Sequence, residues 1–248
     1  SAPPRLVATG QADVAISYQP NLYQQVAKGL PIARIGTLVA TPLNSLVTLA
    51  DGAVQSIPDL KGRVVGYSVG GFEDALLGTM LEAHGLTLDD VSLVNVNFAL
   101  TPALLSQRVS AVIGAFRNFE LNQIALEGRE GRAFYPEENG VPVYDELIFI
   151  ARQEDVGREA LAGFLRAVER ATLWQVNRPD EALALFLEAY PDLDNALNRR
   201  AFRDTLPRFA LRPLALDRGR YERFAAFMLE TGLVSELPPL DTYAVELR

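Results

Sequence analysis

Val64-Val65-Gly66-Tyr67-Ser68-Val69-Gly70-Gly71-Phe72-Glu73-Asp74-Ala75 decides the fold class. A short β-branched run ends in a Ser/Gly turn that opens an amphipathic stretch, the signature of a strand passing into a helix. The same unit recurs on either side. Short apolar runs predict strands at Val14–Ser17, Ile32–Val39, Leu46–Leu49, Val64–Tyr67, Leu93–Asn97, Ala111–Ala115 and Glu146–Ala151. Periodic segments predict helices at Leu22–Lys28, Glu73–His84, Pro102–Gln107, Phe119–Leu126, Arg158–Val176, Pro179–Tyr190, Asp194–Pro207 and Arg218–Thr231. Alternation of the two kinds implies an α/β protein with covered, mostly parallel sheet. From about Ser56 to Val143 the rhythm is βαβαβ, and from Arg158 onward it is almost only helix. Strand-like Leu46–Leu49 and Glu146–Ala151 bracket the middle block. Two strands entering and leaving a central lobe would make a hinge, with residues 1–48 and 147–248 as an outer lobe and 49–146 as an inner one. An N-terminal α/β domain followed by a helical domain is the other arrangement these patterns allow.

Composition narrows the chemistry. The chain has 248 residues, 49% hydrophobic and 22% charged, with no Cys, one His and a formal net charge of −8. Only Lys28 and Lys61 are lysines, so no concentrated cationic surface is available for a phosphate backbone, and nucleic acid is excluded as the main partner. Without Cys there are no disulfides, iron–sulfur clusters, thiolate zinc sites or cysteine nucleophiles, and one His leaves little for a metal site or a serine triad. No metal or cofactor is expected. No stretch approaches the roughly 20 apolar residues of a membrane span, and the first residues lack the pattern of a signal peptide. Ser1-Ala2-Pro3-Pro4 runs directly into Arg5-Leu6-Val7-Ala8-Thr9-Gly10, which reads like the interior of a domain and predicts a preceding segment.

Two loops carry candidate chemistry. At Ser68–Phe72 a Gly-containing helix start offers backbone N–H groups and close approach, but it matches neither the dinucleotide fingerprint nor the P-loop, so a nucleotide phosphate is not indicated. An ordinary strand-to-helix turn explains the same residues. At Ile113-Gly114-Ala115-Phe116-Arg117-Asn118-Phe119-Glu120 a second strand ends, and ligands of open α/β sheets sit at such carboxyl ends. Glu120 can pair with the N–H and ring nitrogen of an amino-heterocycle, with Arg117 and Asn118 as complementary donors. The plainer alternative is a solvated Arg117–Glu120 pair. Tyr18, Tyr67, Phe72, Phe116 and Tyr144 fall at strand ends and loops, where flat side chains suit a planar ligand; each taken alone also fits a core. His84 before Gly85 reads as a helix-end residue, and Pro238-Pro239 as an extended surface tail.

Leu6 to Pro20 resembles the substrate-binding proteins of ABC importers, in the branch of thiamine-precursor (aminopyrimidine) binders and the related fungal pyrimidine-precursor synthases. The likeness continues through Gly29-Leu30-Pro31, Pro42-Leu43-Asn44-Ser45, Asp59 to Ser68, Leu100 to Leu105, Val112 to Glu120 and Gly140-Val141-Pro142. It implies a periplasmic-binding-protein fold of type II, two α/β lobes joined by a two-strand hinge, whose usual first strand and helix, roughly 40–60 residues of a typical domain, would precede this chain. It also implies that Tyr18 stacks on the pyrimidine, that Tyr67, Ser68, Gly70, Gly71 and Phe72 line the inner lobe, and that Glu120 bonds the aminopyrimidine edge. Asn44, Arg117, Asn118 and Tyr144 are further nominations. The implied setting is periplasmic or lipid-anchored outside the cytoplasm, as a monomer that delivers its ligand to a membrane permease.

Three other functions compete. The fungal synthases draw on pyridoxal phosphate, a Cys-containing motif and a Lys, whereas this chain has no Cys and lysines only at Lys28 and Lys61. A sulfonate or nitrate binder would use the Ser68/Gly70/Gly71 helix start but not the aromatic residues. A sensory domain of a transcription regulator would need a DNA-binding segment that the chain does not contain.

Overall fold

The computed structural model describes residues 2–247, and they divide into two compact units. One comprises Ser1–Pro42, Val143–Phe186 and Leu206–Arg248; the other comprises Leu43–Pro142 and Leu187–Thr205. In chain order the elements are α1 (Ala2–Ala8), β1 (Ala15–Ser17), α2 (Gln19–Ala27), β2 (Ile32–Val39), β3 (Asn44–Leu49), β4 (Val64–Tyr67), α3 (Phe72–Glu82), β5 (Ser92–Asn95), α4 (Leu100–Leu105), β6 (Ala111–Phe116), α5 (Glu120–Leu126), β7 (Gly131–Phe134), β8 (Leu147–Arg152), α6 (Glu159–Asn177), α7 (Pro179–Ala189), α8 (Ala196–Thr205) and α9 (Arg218–Glu230). The chain passes between units four times, at 42/43, 142/143, 186/187 and 205/206. Two crossings within strands were expected. Instead β3 belongs wholly to the central unit, and residues 187–205 cluster there as well. Among the described residues no helix is long and apolar enough to cross a membrane.

The first unit is built on a three-stranded sheet in the order β1-β8-β2, antiparallel throughout. β2 is buried along almost its whole length, hence its nearly continuous apolar run. Gly36 within it is required by packing: a Cβ there would lie 2.6 Å from Leu165 Cδ2, so the missing side chain lets α6 lie on the strand. Ile35, Phe149, Ala151, Leu161 and Leu165 form the resulting core, each large aliphatic side chain contributing about 1.5–3 kcal/mol by burial. Tyr23 sits among Tyr221, Phe224 and Tyr243, donating its hydroxyl to the Tyr221 carbonyl at 2.7 Å. Arg34 is fully buried and ties β2 to the C-terminal segment. Its guanidinium donates to the carbonyls of Val245 at 3.0 Å, Pro213 at 3.3 Å and Ala215 at 2.5 Å, and to Thr37 Oγ1 at 2.9 Å. Pro238 and Pro239 lie exposed and outside any helix, as expected of an extended surface segment, but past the turn at Leu240–Thr242 the tail goes inward: Tyr243 and Ala244 are buried, and Ala244 bridges to Arg34.

The second unit has a five-stranded sheet in the order β5-β4-β6-β3-β7. β4 pairs in parallel with β5 and β6, but β3 runs antiparallel to both β6 and β7. With the other sheet antiparallel throughout, the expectation of mostly parallel sheet is overturned, because apolar periodicity reports burial and carries no strand direction. Val47, Leu49, Leu104, Val112 and Ile124 centre its core.

Candidate functional site

The order β5-β4-β6 means that α3 carries the chain from β4 to one side, whereas α5 carries it from β6 toward β7 on the other. Adjacent strands whose connections leave in opposite directions open a crevice between their loops, the preferred ligand position of an open α/β sheet. The loops here are 68–71 and 117–119. Antiparallel β3 adds its first residue to the same edge, since Asn44 pairs with Phe116. One edge of one unit thus gathers Tyr67, Ser68, Gly70, Gly71, Phe72, Asn44, Arg117, Asn118 and Glu120. Val69 and Phe98 extend it with exposed apolar surface, Phe98 at 86%.

A buried carboxylate organises the first loop. Glu73 is 5% exposed, and its Oε2 accepts from the backbone N–H of Ser68 at 2.8 Å and of Val69 at 3.0 Å. Burial, reinforced by Asp74 and Glu120, pushes its pKa up to about 7 against the opposing pull of those two N–H groups. Beneath it lies Gly114 with φ +94°, where a Cβ would come within 2.4 Å of Glu73 Oε1. Gly71, at φ +90°, donates its N–H to Asp74 Oδ2 at 2.9 Å. Ser68 Oγ hydrogen-bonds the Asn97 carbonyl, which joins the turn to the end of β5. Neither Glu73 nor Asp74 stood out in the sequence, since acidic residues in a first helical turn are commonplace partners of the helix dipole.

The second loop is equally committed. Glu120 Oε2 accepts from the Phe116 N–H at 2.6 Å, and burial raises its pKa above the usual carboxylate range. Arg117 makes a bidentate pair with Glu137 at 2.7 and 2.9 Å, lies 3.8 Å over the Tyr135 ring and donates to the Asn44 carbonyl at 3.3 Å. The alternative of a solvated Arg117–Glu120 pair is thereby overturned: a nearer carboxylate and an aromatic face hold the guanidinium elsewhere. Asn118 Nδ2 donates to Thr205 Oγ1 at 2.8 Å. The side-chain oxygens of Asn44 and Asn118 are buried without a hydrogen-bond partner. The edge is consequently rich in acceptors, the carboxylates of Glu73, Asp74 and Glu120 and two amide oxygens, and the Arg117 guanidinium is already neutralised.

Tyr18 and Tyr144 belong to the other unit. Tyr18 precedes α2 and is 45% exposed; partial burial and the nearby Glu146 carboxylate raise its hydroxyl pKa. Tyr144 is 1% exposed and packs 4.9 Å from Phe224, so it stands in the aromatic core rather than at a loop edge. The cause is its neighbour: Asp145 is drawn inward by Thr37 Oγ1 and Arg220 Nη1, both at 2.6 Å, and by the Tyr221 hydroxyl at 3.1 Å. A shallow depression of about 510 Å³ on this unit, lined by Val26, Leu30, Gln153 and Pro238, contains none of the expected residues. His84 lies past α3 and hydrogen-bonds Asn139 at 2.8 Å.

Comparison with known proteins gives concordant results. The family model described as NMT1/THI5 like matches residues 1–182. A Haemophilus influenzae protein named for thiamine biosynthesis is 52% identical over 99% of this chain and 78% of its own length. The formylaminopyrimidine-binding protein of Halalkalibacterium halodurans is 38% identical over 75% of this chain, which spans 57% of that relative. The 4-amino-5-hydroxymethyl-2-methylpyrimidine phosphate synthase of Legionella pneumophila is 27% identical over 88% of the chain and 71% of its own length. Among solved structures, the periplasmic aliphatic sulphonate binding protein of Escherichia coli superposes with a TM-score of 0.77, at 16% identity, over 98% of this chain and 79% of that one. At that identity the likeness is one of fold, and the fold is that of the periplasmic binding proteins.

Proposed function

Because the chain belongs to the NMT1/THI5-like family, we propose that it is the substrate-binding component of an ABC importer and captures a small planar aminopyrimidine, a precursor of thiamine. The acceptor-rich edge of the central sheet carries the reading. An aminopyrimidine presents exocyclic N–H donors beside a ring nitrogen, and Glu120 can accept from the first while sharing a proton with the second; its raised pKa favours that sharing. The buried oxygens of Asn44 and Asn118 suit further N–H groups, which a formylamino substituent supplies. The 38% identity to a formylaminopyrimidine-binding protein supports the same ligand class.

A synthase is the weaker reading. Lys61 precedes β4, at the end of the sheet opposite Tyr67, and pairs with Asp90 at 3.2 Å, while Lys28 ends α2. Lys61 therefore does not adjoin the acceptor-rich edge, and Lys28 belongs to the other unit. A binding role without catalysis, outside the cytoplasm, as a monomer delivering to a permease, follows from this reading.

Thermal shift against hydroxymethyl-aminopyrimidine, its formylamino relative, thiamine, pyridoxal phosphate, taurine and nitrate tests it. Ligand at 100 times Kd adds about 2.7 kcal/mol of stability. A shift with an aminopyrimidine is expected, and Glu120→Gln weakens that binding at least tenfold in calorimetry. A shift with taurine or nitrate alone refutes the proposal.

A further inference from the structure

The turn that opens α3 has the form of an anion-binding site, and three of its N–H groups are already taken by carboxylates of the chain itself. Backbone N–H groups at such a strand-to-helix turn are what a phosphate or sulfonate uses. Here Ser68 and Val69 give theirs to Glu73 Oε2, and Gly71 gives its own to Asp74 Oδ2. The arrangement is built in from both sides. Glu73 is almost wholly buried, and β6 makes room for it at Gly114, where any Cβ would lie 2.4–2.7 Å from the carboxylate atoms. The nearby Arg117 is taken by Glu137, and Glu120 adds a further carboxylate on the adjoining loop.

We propose that Glu73 and Asp74 are specificity-determining residues: as permanent internal occupants of the anion position, they set the site against phosphorylated and sulfonated ligands and select a free aminopyrimidine over its phosphate ester. The inference rests on the ligand class proposed above. An incoming phosphate finds the N–H groups of Ser68, Val69 and Gly71 spent and meets charges of its own sign, so discrimination comes from repulsion as well as from the loss of those three donors. A neutral pyrimidine suffers neither penalty.

The test is calorimetry at pH 8 and low salt, where the ester phosphate is ionised and so is Glu73, pushed up only to about 7. The free pyrimidine and its phosphate ester are titrated into the wild type, Glu73→Gln and Asp74→Asn, with folding verified by circular dichroism. In the wild type the ester binds at least 100-fold more weakly. Glu73→Gln keeps an oxygen for the two N–H bonds but removes the charge, and the ratio of the two dissociation constants falls tenfold or more; Asp74→Asn lowers it in the same direction. Ester binding within threefold of the free compound in the wild type overturns the inference, as does a ratio unmoved in both folded variants. If neither pyrimidine binds, the proposed ligand class fails, and inorganic phosphate and taurine decide the inference separately. Binding of either anion to the wild type, or to none of the proteins, overturns it; binding only to the charge-neutralised variants upholds it.

Discussion

Gly114→Ala is the sharpest probe of how the candidate site is held together. An alanine at φ +94° incurs left-handed strain of about 1–2 kcal/mol. Its Cβ would stand 2.4, 2.5 and 2.7 Å from Glu73 Oε1, Cδ and Oε2, too close for the carboxylate to keep its place. The carboxylate must therefore leave, giving up its bonds to the Ser68 and Val69 N–H groups, each worth about 1.5–3 kcal/mol as a charge-assisted bond. Solvation of the released carboxylate offsets part of that, since burial had raised its pKa. The expected total is about 3–5 kcal/mol, within the stability of about 5–15 kcal/mol typical of a domain. In a Glu73→Ala background the clash is gone, and the same substitution costs only the backbone strain, leaving a coupling of about 2–3 kcal/mol. Urea unfolding of the four proteins measures it. The lone Trp174 lies in α6 of the other unit, so the signal is taken from circular dichroism and amide exchange rather than from tryptophan fluorescence. Additive costs, with coupling below about 0.5 kcal/mol, would refute the picture of Glu73 lodged above Gly114.

Three more outcomes follow from the same geometry. Glu73 rises from its usual 4.5 to about 7 on folding, so the folded state binds more protons in that window; its contribution is full below pH 4.5 and is lost as pH rises through 7, by at most about 3 kcal/mol. Subtracting the stability-versus-pH curve of Glu73→Gln from that of the wild type isolates this fall, and parallel curves would exclude it. Arg34→Met strands the carbonyls of residues 213, 215 and 245 and costs about 3–5 kcal/mol, read as a lower urea midpoint with faster proteolysis after residue 236. Arg117→Lys loses the fork to Glu137 and the stack on Tyr135, an expected loss of about 1.5–3 kcal/mol that amide exchange should localise to β3 and β6; an unchanged exchange pattern there would contradict it.

Much of this architecture is legible in the chain, and what escapes does so for physical reasons. Ile32–Val39 and Val64–Tyr67 emerge with their observed bounds, because buried strands announce themselves as dense β-branched runs. β7, Gly-Arg-Ala-Phe, does not: it is partly exposed, and no apolar alternation marks it. α1 begins through Pro3 and Pro4, which the first helical turn tolerates since its N–H groups lack partners in any case. The candidate edge was readable as two loops, Ser68–Phe72 and Arg117–Glu120. Its organising residue was not, because the role of Glu73 depends on a missing Cβ forty residues further along the chain. Tyr144 misled for the converse reason: its loop context suggested an edge, but Asp145 and its three partners pull the segment into the core.

The antiparallel pairing of β2 with β8 also governs how this chain is made. Ile32 meets its partner Arg152 only after more than a hundred further residues have been synthesised, an interval on the order of ten seconds at ribosomal rates. During it, Ile32-Ala33-Arg34-Ile35-Gly36-Thr37-Leu38-Val39 has no strand to join. Such a stretch is an aggregation hazard in a nascent polypeptide, and Arg34 and Gly36 are the two residues that break it: a charge and a poor strand former placed inside an otherwise sticky run. The same arginine that finally anchors the C-terminal segment thus serves beforehand as the gatekeeper of the unfinished protein.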